Sequence, residues 1–233
     1  MSNLVRHRLG CWMRSGYLGK QDSDVILDVL VHGCYRLDAI GPLERPVVVD
    51  IGAHCGYASL AMRRQWPEGR FACVEANPDN WECLRANVDP WAMVVPAAVC
   101  NARRPVLLNS IAPGGTATGS SRVVDEQDVG HVGTFGHRVY RADGRTVDRL
   151  SFSGLLSLLQ VDHVDLLKID CEGCEHDVLR DPAVRQCARI VGEWHGAQAW
   201  AETIEAMLNH GPWEIQQVGS GGDDLGVFTA RRI

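Results

Sequence analysis

The chain has 233 residues, enough for one large α/β domain or two small ones. Its 45% hydrophobic and 22% charged residues are those of an ordinary globular protein, and a formal charge of −6 argues against a nucleic-acid surface, which needs a basic face. No apolar run reaches the roughly 18 residues of a membrane span, and the basic N-terminus Met1–Arg8 has no apolar core behind it, so a signal peptide is not expected. Nine cysteines, most in apolar contexts such as Cys55, Cys73, Cys83 and Cys100, fit reduced thiols in a cytoplasmic protein.

Residues 1–45 read as a helical segment. Asp22-Ser23-Asp24 is suited to cap a helix whose apolar residues Val25, Ile26, Val29 and Leu30 fall at helical spacing, with Tyr35 just beyond. This segment is expected to pack on the main domain, 46–233, and close over a ligand. The main domain opens with the strand Val47–Ile51, the helix Tyr57–Gln65 and the strand Arg70–Glu75. Asn77-Pro78-Asp79 starts a helix running to about Asn87, since Pro suits a first helical position. Ala92–Val95 and Ala97–Val99 give a short third strand. From about 101 to 144 periodicity fails and glycines accumulate, which reads as a lid-like irregular insertion, with Gly119-Ser120-Ser121 able to hydrogen-bond a ligand.

Periodicity returns with Thr146–Leu150 and the helix Ser153–Leu159. Val164–Ile169 is a buried strand ending in Asp170, Glu175–Leu179 begins a helix, and Arg189–Glu193 is a strand. Ala197–Asn209 is a helix, and Trp213–Val218 and Leu225–Arg231 are the last strands. Only Gly219–Asp224 separates these two strands, too few residues for a parallel crossover, so they form an antiparallel hairpin. The expected fold is an α/β three-layer sandwich, Rossmann-like, with a mostly parallel seven-stranded sheet and one antiparallel strand.

The turn after the first buried strand carries the chemistry. A dinucleotide site needs Gly-x-Gly-x-x-Gly, whose middle glycine admits a pyrophosphate. Here Gly52-Ala53-His54-Cys55-Gly56 puts His54 in that place. The remaining pattern, Asp50-x-Gly52-x-x-x-Gly56, suits a nucleoside with an amino-acid tail and no phosphate, and S-adenosylmethionine is such a cofactor. Glu75, ending the next strand, would accept hydrogen bonds from the ribose hydroxyls. His54 and the terminal hairpin both argue against the alternative of a nicotinamide-dependent oxidoreductase.

Three stretches carry a resemblance: Val49-Asp50-Ile51-Gly52-Ala53-His54-Cys55-Gly56-Tyr57, Val74-Glu75-Ala76-Asn77-Pro78 and Leu166-Leu167-Lys168-Ile169-Asp170-Cys171-Glu172-Gly173-Cys174-Glu175. Together they resemble the motifs of the FkbM family of class I methyltransferases; the third is distinctive, and the first two are shared by many methyltransferases. The resemblance implies methyl transfer from S-adenosylmethionine, with S-adenosylhomocysteine as product, most often to a hydroxyl of a sugar, polyketide or other specialised metabolite. Cys171 and Cys174 stand where small or branched apolar residues are usual, which favours a packing role for this Cys-x-x-Cys. His195 is not carried over from the family.

Ligands of open α/β sheets sit beyond the carboxyl ends of the strands. Asp50, Glu75, Asp170 and Glu193 would share that rim, where four carboxylates repel unless a ligand or metal separates them. Gly52 and Gly56 would let the backbone approach the cofactor, His54 and Tyr57 would touch its amino-acid tail, and Ala97-Ala98 its adenine. Asp170 is either a wall near the cofactor amine or a metal ligand. Asp170, Glu193 and His195 offer a set for Mg²⁺, but hydrogen-bonding use of such groups is commoner and no metal is assigned. His195 leads as general base because an unperturbed imidazole titrates near neutral pH. Lys168 is expected to pair with a neighbouring acid. The partner is a small-molecule acceptor, with neither nucleic acid nor membrane; a cofactor-binding subunit without turnover is the alternative.

Overall fold

Two faces of one sheet divide the apolar residues of this chain between two helical layers. The computed structural model describes residues 3–101, 106–111, 122–125, 133–135, 138–195, 199–220 and 225–233. In chain order they form β1 (Leu4–Arg6), β2 (Trp12–Arg14), α1 (Gly16–Leu30), β3 (Val47–Ile51), α2 (Tyr57–Gln65), β4 (Arg70–Val74), α3 (Pro78–Val88), β5 (Ala92–Val95) and β6 (Ala98–Val99). Then come β7 (Val106–Ile111), β8 (Arg122–Asp125), β9 (Gly133–Phe135), β10 (Arg138–Val147), β11 (Arg149–Leu150), α4 (Phe152–Leu159) and β12 (Leu166–Ile169). The chain finishes with α5 (Glu175–Arg180), β13 (Arg189–His195), α6 (Ala199–Leu208), β14 (Trp213–Ser220) and β15 (Leu225–Arg232).

The central sheet has seven strands in the order β14-β15-β13-β12-β3-β4-β5. All neighbours are parallel except that β15 runs against both β13 and β14. The expected class I plan is therefore present, terminal hairpin included. Strands buried on both faces read as unbroken apolar runs because each side chain meets a helix. Along β3, Val49 and Ile51 pack with Phe152 and Leu155 of α4, while Val48 packs with Ile26 of α1 and Met62 of α2. Asp50 and Lys168 fall on the Val48 side and sit opposite each other in the β3–β12 register. No helix among the described residues is long and apolar enough to cross a membrane.

Two regions differ from the sequence expectation. The N-terminal segment opens with the β1–β2 hairpin, and α1 begins at Gly16 after the N-cap Ser15. Asp22 is thus not a cap but a fully buried residue within α1. Its carboxylate accepts from the Arg14 backbone N at 2.9 Å and from Arg14 Nε at 3.0 Å, and it pairs with Arg14 Nη2. A carboxylate this close in sequence to an arginine reads as a cap until the hairpin folds the arginine back onto it. The 101–144 stretch, expected to be irregular, contains strands, and β8-β7-β10-β9 form an antiparallel sheet of their own. Glycines and arginines interrupt the alternation that marks a half-buried strand, so backbone pairing was not visible in the pattern. Gly119-Ser120-Ser121 lies outside the described residues.

The Arg14–Asp22 pair clamps the hairpin to α1. Asp22→Asn leaves a buried guanidinium without its counter-charge, and a loss of about 3–5 kcal/mol in unfolding free energy is expected. Urea denaturation followed by circular dichroism measures it; an unmoved midpoint would show that the clamp contributes nothing.

Candidate functional site

Beyond the carboxyl ends of β3, β4, β12 and β13 lies a cavity of about 530 Å³, within the range of small-molecule sites. Gly52, Ala53 and His54 of the β3–α2 turn, Glu75 after β4, and Ala97-Ala98 line one half. Asp170, Glu172 and Glu193 line the other, which α1 and Tyr35 close from above.

The turn is tight because of what surrounds it. Gly52 has φ 76°, and a Cβ there would lie 1.7 Å from the Asp170 carbonyl oxygen, so only glycine lets β12 end beside it. Gly56, at φ 85°, would place a Cβ 2.9 Å from Val88 Cγ1. It is absent from the cavity wall, and its smallness serves the packing of α2 on α3 rather than ligand approach. His54 takes the left-handed conformation at φ 51°, and its backbone N–H donates to Glu75 Oε2 at 2.8 Å. Its ring Nε2 stands 2.9 Å from Arg14 Nη2. Burial first, and then the Arg14 charge, push the His54 pKa down to about 4, so the ring is neutral and accepts from the guanidinium. Tyr57 offers its ring to the wall, while its hydroxyl lies 3.9 Å from Cys83 Sγ.

Glu75 is buried and holds three N–H donors. Asn77 N at 2.8 Å and Asn80 Nδ2 at 3.0 Å donate to Oε1, and His54 N donates to Oε2. Burial raises its pKa, and the three donors work against that.

Asp50 departs from its expected place. It is fully buried and absent from the cavity wall. Ser59 Oγ donates to its Oδ2, and Lys168 Nζ sits 3.1 Å from its Oδ1. A carboxylate committed to an ion pair behind the turn cannot meet a cofactor. Lys168 also donates to the Gly52 carbonyl at 2.8 Å and stands 3.8 Å from Asp170 Oδ2. Burial alone would lower its pKa, but Asp50 and Asp170 outweigh it, so the ammonium is firmly charged. The expected pairing of Lys168 with an acid is present, and its partner is Asp50.

His195, Asp170 and Glu193 do come together, with Glu172 and Glu175 added. His195 Nδ1 lies 3.2 Å from Glu175 Oε1, and its Nε2 lies 3.4, 3.7 and 4.0 Å from Glu193, Glu172 and Asp170 oxygens. Burial works against a charge on this ring, but Glu175, Glu193 and Glu172 overcome it and push the pKa up to about 12. Its contribution is that of an imidazolium among carboxylates. Glu175 also takes the backbone N–H groups of Cys171 at 3.0 Å and Gly173 at 2.8 Å, and so anchors the loop between β12 and α5. Burial pushes the Glu172 pKa up to about 8 despite His195. Glu193 is raised as well, by burial and then by Asp170.

Three residues at the site escaped the sequence reading of function. Tyr35 donates its hydroxyl to Asp170 Oδ2 at 2.6 Å, across 135 positions of chain. Arg14 reaches the wall from the hairpin, and no local pattern marks it. Glu175 was visible as the last residue of the Lys168–Glu175 motif, but only its contact with His195 assigns it a task. Cys171 and Cys174 are free thiols, Cys174 buried and Cys171 half-buried, in keeping with packing.

Residues 50–212 match the model of the methyltransferase FkbM domain. Among solved structures, methyltransferase FkbM from Methylobacillus flagellatus KT is similar at 12% identity and a TM-score of 0.55, covering 84% of this chain and 46% of that one. EvdMO1 is similar at 14% identity and a TM-score of 0.52, over 100% of this chain and 44% of that one. The chain thus spans just under half the length of either. A SAM dependent methyltransferase from Aquifex aeolicus shares 9% identity with a TM-score of 0.51, over 92% of this chain and 96% of that one. At these identities the likeness is one of fold. No curated protein matches the chain. The domain match extends from the buried Asp50, through the Glu75 turn and the His195 cluster, to Pro212, and by it the chain belongs to the methyltransferase FkbM domain family.

Proposed function

We propose that this methyltransferase moves a methyl group from S-adenosylmethionine to a hydroxyl oxygen of a small specialised metabolite, a sugar or polyketide among the candidates. The observation that carries the cofactor reading is the state of Glu75 in the cavity wall. A carboxylate has about four lone-pair sites, and three N–H donors occupy three of them, two on Oε1 and one on Oε2. The remaining site on Oε2 suits one ribose hydroxyl, where the sequence reading had foreseen both. The apolar wall at Ala97-Ala98 suits an adenine face. When bound, S-adenosylmethionine would supply an electrophilic methyl carbon on sulfonium, to which an acceptor oxygen would bond as the carbon–sulfur bond breaks, leaving S-adenosylhomocysteine.

The acceptor hydroxyl must lose its proton to a base. His195 led as that base on sequence grounds, but an imidazolium held between Glu175 and Glu193 has no lone pair for the task. Asp170 Oδ2 already takes the Tyr35 hydroxyl. Glu193 lines the cavity, and burial raises its basicity toward that of a useful acceptor of protons. We assign it the proton, with His195 as the positioning residue that fixes its carboxylate. No step of this reading is routed through Mg²⁺ on Asp170, Glu193 and His195, although Asp170, Glu175 and His195 bring ligand atoms within 4.8 Å of one another and could hold a metal ion. The carboxylates in the wall and the −6 net charge also favour a small acceptor over a nucleic acid.

Three measurements test this. Calorimetry should detect binding of S-adenosylmethionine and S-adenosylhomocysteine, and Glu75→Ala should weaken it by about 1–3 kcal/mol; no binding at millimolar ligand overturns the cofactor reading, and unchanged affinity in the variant overturns the role of Glu75. The folded-state pKa of His195 lies above the unfolded value of about 6.5, so its stabilisation is complete below that pH and fades as pH climbs toward the folded value. The cost of His195→Gln in denaturant titrations should therefore be smaller at about pH 9 than at about pH 6; a cost that grows with pH would mean a neutral ring. Finally, methyl transfer should survive EDTA, and loss of turnover restored by Mg²⁺ would reinstate the metal.

A further inference from the structure

The half of the cavity away from Glu75 has an unbalanced charge. Each cation at or behind the wall is matched by an acid that is buried out of the ligand's reach. Arg14 pairs with Asp22, Lys168 with Asp50, and His195 Nδ1 with Glu175. Asp22 and Asp50 are fully buried and Glu175 is 1% exposed. What faces the ligand space is the surplus: Asp170 and Glu193 on the floor, beside Glu172, which burial holds largely protonated near neutral pH. On the roof, α1 turns one helical face inward, and Asp24 and Asp28, one turn apart on it, are the exposed carboxylates at the mouth. His32 Nδ1 lies 3.1 Å from Asp28, itself on the outer, exposed side. Floor and roof come from segments more than a hundred residues apart, and α1 lies outside the matched domain. The cavity is a ligand site on the methyl-transfer reading whatever its charge; the surplus specifies which ligand.

We infer that the acceptor carries a protonated amine beside the hydroxyl that is methylated, the ammonium lying between the α1 carboxylates and the strand-end carboxylates. The ammonium and sulfonium of S-adenosylmethionine would answer part of the floor's charge; a phosphate or carboxylate on the acceptor would still be repelled by Asp24 and Asp28, which an acceptor ammonium would complement. An amine also fits the direction of entry, since Asp24 and Asp28 sit at the opening and would draw a cation inward. This specificity rests on the methyl-transfer reading above.

The test uses one sugar scaffold in three charge states: glucosamine, glucose and glucuronate, titrated by calorimetry into the protein saturated with S-adenosylhomocysteine. Glucosamine should bind about tenfold tighter than glucose, with glucuronate weakest. In the doubly substituted Asp24→Asn/Asp28→Asn protein, checked for folding by circular dichroism, the preference should fall to about threefold or less. Equal affinities, no response from any of the three, or preference for glucose or glucuronate overturns the inference. S-adenosylhomocysteine binding is measured first in the same cell. Its failure overturns the methyl-transfer reading, whereas its success without an amine preference overturns the charge inference alone.

Discussion

The ion pair between Lys168 and Asp50 is the constraint on which the rest of the site depends. The two residues face each other across the β3–β12 ladder, and both are buried. Neither charge is tolerable alone at that depth, since an uncompensated buried ion costs several kcal/mol. Together they hold the ends of the two central strands in one register. The same ammonium takes the Gly52 carbonyl and lies beside Asp170, so the ligand turn and the strand-end acid are positioned by one group. Tyr35 completes the arrangement by lying with its ring 5.2 Å from Lys168 Nζ while its hydroxyl reaches Asp170.

Lys168 and His195 thereby answer part of the charge at the rim. Of the four strand-end carboxylates, Asp50 and Asp170 lie by Lys168 and Glu193 by His195, while Glu75 is held by N–H donors. An imidazolium in that position is a structural charge. Its two nitrogens span two elements, Glu175 at the start of α5 and Glu193 near the end of β13. It ties the loop after β12 to the neighbouring strand, which keeps Glu172 and Glu193 at the cavity.

What was legible in the sequence was what depends on neighbours in the chain. The run Val47–Ile51, the helix Tyr57–Gln65 and the short terminal hairpin were readable because period, length and turn size each limit the choices locally. Glu75 and the Lys168–Glu175 motif were readable as lying at the strand ends around the cavity for the same reason. Asp50 was misplaced because ending a strand says where a residue lies along the axis, while the face it points to depends on the register with β12. His195 was read with an unperturbed pKa because three of its four acidic neighbours sit in a different segment. The strands of the 101–144 stretch and the contact from Tyr35 to Asp170 are long-range pairings that no local period encodes.

The hairpin and α1 share no ladder with the central sheet among the described residues. They hold their side of the cavity through side chains: Arg14 to Asn80 and His54, Tyr35 to Asp170. Mutational drift is therefore priced differently on the two sides. A change on the sheet side propagates through hydrogen-bonded strands and the buried pair, whereas Asp24 and Asp28 of α1, exposed at the mouth of the cavity, can be exchanged one at a time without disturbing either. Such a wall can change its charge while the sheet side of the cavity keeps its frame, so α1 is where the cavity can be remade with least disturbance to the fold.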